Sequence, residues 1–197
     1  FRDVNIAFAN ELSIICDKLG IDVWELIRLA NRHPRVNILQ PGPGVGGHCI
    51  AVDPWFIVDS APRDARLIRV AREVNDSKPH VVMEKVYEAV RATENPKVAC
   101  LGLAFKPDID DLRESPSLQI AEELAAGPLD ELLVVEPNIR TLPVCLADKK
   151  NVRLVSVEEA MRDANIILLL VDHKEFKAMD RQLLKGKTII DTRGIFT

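Results

Sequence analysis

The sequence predicts an α/β protein in which a helical region is followed by a parallel β-sheet with helices on both faces. Residues 1–93 carry apolar side chains almost entirely at helical spacing. After residue 96, short apolar runs alternate with helical segments, as in parallel strands joined by crossover helices. A turn at residues 93–96 separates the two patterns. We therefore expect one domain over residues 1–93 and a second over residues 94–197.

The first region is predicted to contain four helices, over residues 1–19, 23–31, 63–75 and 78–91. Gly20 is a suitable stop for the first helix, and Asp22 is a candidate N-cap for the second. Pro79 is placed in the first turn of the fourth helix, where proline is tolerated. Residues 55–58 form a short apolar segment. This region has much apolar surface and no sheet of its own, so we expect it to pack on another body, such as a second copy of the chain.

The second region is predicted to contain strands over residues 97–103, 132–136, 152–154, 164–171 and 188–191. Helical segments lie between them, over residues 115–126, 142–147, 156–163 and 180–184. Ser115 and Ser156 are candidate caps for two of these helices. Open parallel sheets bind ligands beyond the carboxyl ends of their strands. Lys106 and Arg193 follow two of the strands, and such paired cations suit a phosphate-bearing ligand. The alternative is that both are solvated loop charges.

The first strand is not followed by the glycine pattern of a dinucleotide-binding loop. Gly102-Leu103-Ala104-Phe105-Lys106 departs from G-x-G-x-x-G, so we do not expect this sheet to bind NAD by itself.

The most distinctive segment is a glycine-rich and proline-rich loop over residues 41–54, which holds four of the nine glycines. Because glycine has no side chain, a ligand can approach the backbone N–H groups of this loop closely. Cys49 is followed four residues later by Asp53, so one helical turn would place both on one face. A thiol near a carboxylate beside a glycine cradle suggests a catalytic site. The alternative is a tight loop around a buried cysteine.

Composition argues against a nucleic-acid-binding or membrane-spanning protein. The net charge of −4 and sequence pI of about 5.6 show no basic footprint for nucleic acid. No apolar run is long enough to predict a membrane span. The four cysteines are widely spaced, which favours reduced thiols and a cytoplasmic location. The chain begins at Phe1 already in helical pattern, and we expect it to be a piece of a longer protein.

Several motifs resemble one known family, the nucleotide-sugar 6-dehydrogenases that include UDP-glucose and GDP-mannose dehydrogenases. They span the whole chain in order: Asn10-Glu11, residues 44–54 (Gly-Val-Gly-Gly-His-Cys-Ile-Ala-Val-Asp-Pro), Phe105-Lys106-Pro107-Asp108, residues 111–116 (Asp-Leu-Arg-Glu-Ser-Pro) and Asp191-Thr192-Arg193. Residues 2–5, 33–37 and 48–50 are similar to the branch that acts on UDP-N-acetyl-D-mannosamine. Val52 stands where the glucose enzymes usually carry a lysine, so this chain lacks that lysine's contact to NAD.

The resemblance implies a fold, a reaction and a cofactor. It implies a helical dimerisation region followed by a Rossmann-like UDP-binding domain, with NAD bound mainly by an N-terminal domain that this chain lacks. The C6 alcohol of the sugar would be oxidised to a carboxylate in two hydride transfers to NAD. Cys49 would form a thiohemiacetal and then a thioester, and Asp53 would orient or activate water.

The resemblance also implies binding residues. The loop around Gly46 would approach the sugar and phosphate, Phe105 and Lys106 would hold the nucleotide, and Arg193 would lie at the UDP or sugar end. Arg2 would contact substrate, and Arg113 would contact NAD. Through a homodimer, His33 and Arg35 would reach the partner's active site. For these two the alternative is favourable charges at a helix end; for Arg113 it is an ion pair with Asp110 or Glu114.

Two other functions stay open at this stage. The same reaction could act on another UDP-N-acetylhexosamine or on UDP-glucose. The chain could also be a non-catalytic dimerisation and nucleotide-sugar-binding module.

Overall fold

The computed structural model describes residues 1–196. The first half of the chain forms four helices, α1 (Arg2–Leu19), α2 (Val23–Ala30), α3 (Asp53–Ser60) and α4 (Arg66–Arg91). As predicted, Gly20 ends α1 in the left-handed conformation, with φ 66°. Asp22 caps α2, because its carboxylate accepts bonds from Trp24 N and Glu25 N. The apolar segment 55–58 lies inside α3.

Helix α4 corrects one prediction. The sequence indicated two helices, with Pro79 in the first turn of the second, but α4 runs unbroken from Arg66 to Arg91 with Pro79 in its interior. An interior proline costs about 3 kcal/mol. The cost is offset because the apolar face of α4 continues on both sides of Pro79 and is buried at Ala71, Val82, Met83, Val86 and Val90.

A five-stranded parallel sheet forms the second half of the chain, with strand order β3-β2-β1-β4-β5. Its strands are β1 (Lys97–Leu101), β2 (Glu131–Val135), β3 (Val152–Leu154), β4 (Ile166–Leu169) and β5 (Thr188–Asp191). Helices α5 (Pro116–Ala125), α6 (Val144–Ala147), α7 (Val157–Asp163) and α8 (Lys174–Lys177) and a 3₁₀ turn (Arg181–Leu184) connect them. The expected α/β class and parallel sheet are confirmed. The chain moves from β1 to β2 on one side and later to β4 on the other, so the strand order reverses between β1 and β4.

Alternate side chains of the strands fill two apolar cores, one on each face of the sheet, as expected of buried parallel strands. Ala99, Leu133 and Ile167 pack with α7 and Phe176. Val98, Val134 and Leu168 pack on the other face with α5 and with the second half of α4, from Val82 to Val90. Helix α4 therefore belongs to both halves of the molecule. The boundary between residues 93 and 94 stays a prediction.

Among the helices of residues 1–196, none combines the length and the apolar character that crossing a bilayer requires.

Candidate functional site

The glycine loop meets the sheet at the point where the strand order reverses. The segments that follow β1 and β4 diverge there, which is where open parallel sheets bind ligands. A small cavity of about 70 Å³ opens at this point, lined by Pro43, Gly44, Ala104, Phe105, Lys106, Pro107, Pro116, Ser117, Leu170, Val171, Asp172 and Arg193. The structure therefore brings together the glycine loop, Phe105, Lys106 and Arg193, which come from distant parts of the sequence.

The glycines of the loop serve close packing against the segment that follows β1. A Cβ built on Gly46 would lie 2.2 Å from Glu114 O and 3.1 Å from Phe105 Cβ. Gly47 has φ +91°, and a Cβ built on it would lie 3.1 Å from Phe105 Cε2. A side chain at Gly46 would force the loop and the sheet apart. The ligand contact expected of Gly46 stays a prediction.

Cys49 and Asp53 lie one helical turn apart at the end of this loop. Asp53 N donates to Cys49 O at 2.8 Å, and Asp53 is the first residue of α3. The predicted turn is therefore present. Both residues are exposed, and the Cys49 thiol is free. The alternative of a buried cysteine does not hold for Cys49.

A buried polar network beneath the loop ties it to α1 and α4. The side chain of Asn10 accepts from Gly42 N at 2.9 Å and donates to Asn75, also at 2.9 Å. Asn75 donates in turn to the carboxylate of Asp3, which also accepts a bond from Arg72 Nη1 at 2.7 Å. These bonds satisfy groups that would be costly to bury alone, and they anchor the start of the glycine loop.

Lys106 is exposed, and its ammonium lies 5.5 Å from the centroid of the Phe105 ring. The imidazole of His48 meets the same ring edge to face, with centroids 6.4 Å apart. The Phe105 ring therefore contacts both the residue that precedes Cys49 and the cation of the segment that follows β1.

Arg193 closes the cavity from the end of β5. Its Nε donates to Asp172 Oδ1 at 2.9 Å, and Lys177 Nζ lies 2.6 Å from the second oxygen. Burial raises the pKa of Asp172, but the charges of Arg193 and Lys177 outweigh it and hold the pKa below its ordinary value. The side chain of Arg193 is 27% exposed. It is thus held in place and still accessible.

The turn after Arg193 packs on the helical half of the molecule. Gly194 has φ +67°, and a Cβ built on it would lie 2.3 Å from Trp24 Cδ2 in α2. This contact joins the end of the described chain to its beginning.

Arg113 is exposed in the loop of residues 110–113, outside this cavity, whereas Asp111 and Leu112 of the same loop are partly buried. Its guanidinium makes a bidentate bond with Asp111, at 2.9 and 2.7 Å, rather than with Asp110 or Glu114 as the sequence suggested. The hydrogen bonds from Arg113 hold the pKa of Asp111 far below its ordinary value. His48 Nε2 lies 3.5 Å from the same carboxylate, so this pair adjoins the cysteine loop.

Of the predicted site residues, only Phe105, Lys106 and Arg193 line the cavity among the described residues; Gly46, Cys49, Asp53, Arg2, His33 and Arg35 do not, and neither does Arg113. Arg2 is exposed in the first turn of α1. His33 and Arg35 are exposed after α2, where Arg35 N donates to His33 Nδ1 at 3.3 Å. This arrangement leaves both side chains accessible to a second chain.

Sequence reasoning missed a buried pair at the ends of β2 and β4. Glu136 and His173 are 3% and 0% exposed, and Glu136 Oε2 lies 3.0 Å from His173 Nε2. A carboxylate directly after a buried strand was a usable signal for Glu136, whereas His173 lies four residues past β4 and has no comparable local signal.

One group of three residues among those described, Asp108, His173 and Glu175, has metal-ligating atoms within 4.8 Å of one another. His173 Nδ1 already accepts from Asp108 N at 2.9 Å, and its other nitrogen bonds Glu136. The imidazole therefore has no lone pair left for a metal ion.

The arrangement agrees with comparisons to known proteins. A family model for the central domain of the UDP-glucose/GDP-mannose dehydrogenase family matches residues 1–77, and one for its UDP binding domain matches residues 99–197. The chain belongs to the UDP-glucose/GDP-mannose dehydrogenase family. The resemblance inferred from the motifs is confirmed, and the sheet described above is the UDP binding domain of that family.

Curated relatives carry two related names. An NDP-N-acetyl-D-galactosaminuronic acid dehydrogenase of Ralstonia nicotianae is 59% identical over 197 residues, which is 100% of this chain and 46% of the relative. A UDP-N-acetyl-D-mannosamine dehydrogenase of Campylobacter jejuni is 63% identical over 176 residues, covering 89% of this chain and 43% of the relative. The chain thus spans about half the length of the curated relatives it matches.

Solved structures of the family share the fold. The UDP-N-acetyl-mannosamine dehydrogenase Cap5O of Staphylococcus aureus matches with a TM-score of 0.83 and 42% identity, over 98% of this chain and 45% of that protein. A UDP-N-acetyl-D-mannosamine dehydrogenase of Pyrococcus horikoshii has the same TM-score at 36% identity, over 100% of this chain and 46% of that protein.

Proposed function

We propose that this chain is the central and C-terminal part of an NAD-dependent dehydrogenase that oxidises the C6 alcohol of UDP-N-acetyl-D-mannosamine to the carboxylate. One observation carries the proposal: the glycine loop, through Pro43 and Gly44, and the cations Lys106 and Arg193 converge where the strand order of the UDP binding domain reverses. The names of relatives that match most or all of the chain support the choice of sugar.

Lys106 and Arg193 would bind the pyrophosphate. Arg193 is accessible, and among residues 1–196 its side chain pairs with Asp172 alone, so a phosphate could take up its remaining donors. The Phe105 backbone would lie beside the nucleotide, and Gly46 would bring the loop backbone close to the sugar. Arg2 would add a contact to the substrate.

Cys49 would act as the nucleophile. The first oxidation removes a hydride from C6 and the hydroxyl proton, which leaves an aldehyde. The Cys49 thiolate adds to this aldehyde and the oxygen takes up a proton to give a thiohemiacetal; loss of hydride from that carbon and of the hydroxyl proton then leaves a thioester. Water, oriented by the Asp53 carboxylate, then cleaves the C–S bond, which releases the carboxylate and restores the thiol. NAD, when bound, accepts the hydride of each oxidation.

The residues of this chain fit one contact to NAD and not a complete binding site. The turn after β1 lacks the G-x-G-x-x-G pattern, and its Gly102 is packed against Val171, where a Cβ would lie 2.4 Å from Val171 Cβ. The Arg113 side chain is 70% exposed and could reach a phosphate from its loop. The rest of the cofactor would be held by residues outside this chain, so the chain alone would be inactive.

The assembly we propose is a homodimer through the helical region. The side chains of Phe1, Phe8, Ile15 and Leu19 leave a row of apolar surface exposed along α1. A partner covering this row would also bring the exposed His33 and Arg35 close to a second active site.

A second substrate is favoured by a specific observation. The Ralstonia relative that is 59% identical over the whole chain is named for an N-acetyl-D-galactosaminuronic acid product. The same reaction on UDP-N-acetyl-D-galactosamine is therefore the alternative.

The test is reduction of NAD by the full-length protein with a panel of UDP-sugars that includes both N-acetylhexosamines and UDP-glucose. We expect the mannosamine sugar to give the highest kcat/KM. Cys49→Ser should lower formation of the carboxylate by on the order of 10³-fold or more, since serine is a far weaker nucleophile at neutral pH.

Cys145→Ser is the matched control, because it changes a partly buried cysteine in the packing of the sheet and should keep turnover within a few-fold. Full two-step oxidation by Cys49→Ser would show that the nucleophile is wrong. Absence of activity on every UDP-sugar by the unaltered full-length protein would overturn the proposed function.

A further inference from the structure

A carboxylate and an imidazole are buried together beneath the segment that carries Phe105 and Lys106. Glu136 follows β2 and His173 follows β4, and both side chains are inaccessible to solvent. A buried ionisable pair of this kind is costly unless nearly every polar atom has a partner. The bonds that satisfy the pair lead to the backbone of residues 103–108 and to Asn138, whose side-chain nitrogen lies 3.1 Å from Glu136 Oε1 and 3.2 Å from His173 Nδ1.

Glu136 holds the beginning of that segment. Its Oε2 accepts from Leu103 N at 2.7 Å and from Ala104 N at 3.1 Å, while Oε1 accepts from the backbone and side-chain amides of Asn138, both at 3.1 Å. Two successive backbone N–H groups are thus fixed by one carboxylate oxygen immediately before Phe105.

His173 holds the end of the same segment. Its Nδ1 accepts from Asp108 N at 2.9 Å, so this nitrogen carries no proton, and Nε2–H donates to Glu136 at 3.0 Å. Asp108 has φ +62°, a left-handed conformation that is costly for a residue other than glycine. A second bond, from Lys174 N to Asp108 Oδ1 at 3.0 Å, helps to hold it there.

We propose that Glu136 and His173 are positioning residues that clamp the segment 103–108 at both ends and so present Phe105 and Lys106 to the nucleotide. The inference rests on the proposed function for the role of Lys106. The segment between the clamped ends holds Phe105, Lys106 and Pro107, and all three line the cavity. Neither positioning residue is itself a wall of that cavity.

The two nitrogens of His173 can be tested separately. His173→Asn keeps an acceptor near Asp108 N and loses the donor to Glu136, whereas His173→Gln keeps the donor and loses the acceptor. Glu136→Gln replaces one accepting oxygen by an amide that cannot accept. The matched control is Lys174→Ala. The Lys174 side chain follows His173 and is 75% exposed, and only the backbone N–H of Lys174 bonds Asp108, so the substitution leaves that bond in place.

In the full-length protein, we expect each of the three variants to raise the KM for the UDP-sugar by about 10–100-fold, as for loss of one charge-assisted bond. The kcat should stay within about threefold, because Cys49 is on a different loop, and Lys174→Ala should change neither constant. The same variants in a Lys106→Ala background should add less than about twofold to KM, since the clamp acts through Lys106.

Three results would overturn the inference. One is an unchanged KM in all three variants. Another is an effect of undiminished size in the Lys106→Ala background. The third is a parallel loss of kcat and thermal stability, which would indicate general unfolding.

If the unaltered protein oxidises no UDP-sugar, the proposed function fails separately, and amide hydrogen exchange tests the clamp itself. Exchange at residues 103–108 should then quicken in the variants while residues 166–169 in β4 stay protected. Equal protection at residues 103–108 in variant and unaltered protein would refute the clamp.

Discussion

Lys78 is a buried cation without a recorded carboxylate partner among the described residues. Its ammonium donates to Ser13 Oγ at 2.8 Å, and the residue is 6% exposed. Burial, and then the charge of Lys85, lower the pKa of Lys78 to about 8, and Asp17 offsets this only in part because it forms an ion pair with Lys85. The charged form of Lys78 is therefore disfavoured in the folded protein.

We predict that Lys78→Met stabilises the protein at neutral pH. With an ordinary pKa of 10.5 in the unfolded chain and about 8 in the fold, the charge costs on the order of 3 kcal/mol below pH 8. Loss of the bond to Ser13 reduces the gain, so we expect about 1–3 kcal/mol by urea unfolding at pH 7.

The stabilisation expected of Lys78→Met depends on pH. Between pH 8 and 10.5 the unfolded chain binds more protons at this lysine, so the unaltered protein gains stability as pH rises. The advantage of Lys78→Met should shrink over that range, while an exposed control, Lys150→Met, should show little difference at any pH. A constant difference between Lys78→Met and the unaltered protein would contradict this account.

Sequence reasoning found the residues of the cavity but not those beneath it. Lys106 and Arg193 were identified because each follows an apolar run that reads as a strand. Cys100 lies inside β1 and is fully buried, and burial raises its pKa to about 12. Glu136 and His173 are 37 positions apart, and only the sheet order makes them neighbours.

At the scale of elements, α1 presents two different faces. Buried Ala9 and Cys16 pack towards α2, while Phe8 and Ile15 are 50% and 46% exposed on another side. An exposed apolar stripe along a whole helix is expected to be covered by a partner.

We predict that the double substitution Phe8→Lys and Ile15→Lys abolishes self-association. Two charges in an apolar contact would have to be desolvated, which costs several kcal/mol of association free energy. The same substitutions should cost the folded monomer much less stability, because both positions are exposed in it. Sedimentation should show a dimer for the unaltered protein and for Lys150→Glu, and a folded monomer for the double variant. A dimer that survives the double substitution would exclude this face.

Helix α4 shows where local patterns mislead. Proline was taken as a helix start because the local rule favours it, and the rule was overridden by packing that no local window contains. The glycine loop shows the opposite case: its irregular backbone was predicted, because proline and glycine act locally. Helix α3 was not predicted as a helix, since residues 55–58 were expected only to form a short apolar segment. Helix α8 was missed, since it is only four residues long.

At the scale of the whole molecule, helix α4 joins the helical half to the sheet. One face of the sheet is covered by α5 together with the second half of α4, so the apolar core crosses the boundary that the sequence pattern suggested. The two halves should therefore unfold together.

We predict that a fragment of residues 94–197 is much less stable than one of residues 76–197. The shorter fragment lacks Val82, Met83, Val86 and Val90, and each such side chain contributes roughly 1.5–3 kcal/mol when buried. Thermal unfolding followed by circular dichroism should show a cooperative transition for 76–197 and a broad or absent one for 94–197. Equal midpoints would show that the sheet does not depend on α4.

The contact between Gly194 and Trp24 has an optical consequence. Trp24 is one of two tryptophans in the chain, and its indole lies against the backbone that directly follows Arg193. A ligand that draws the guanidinium away from Asp172 would shift this backbone and change the surroundings of the ring. The emission spectrum of the unlabelled protein would then report occupancy of the nucleotide site, and Trp24→Phe would silence the signal while leaving that of Trp55.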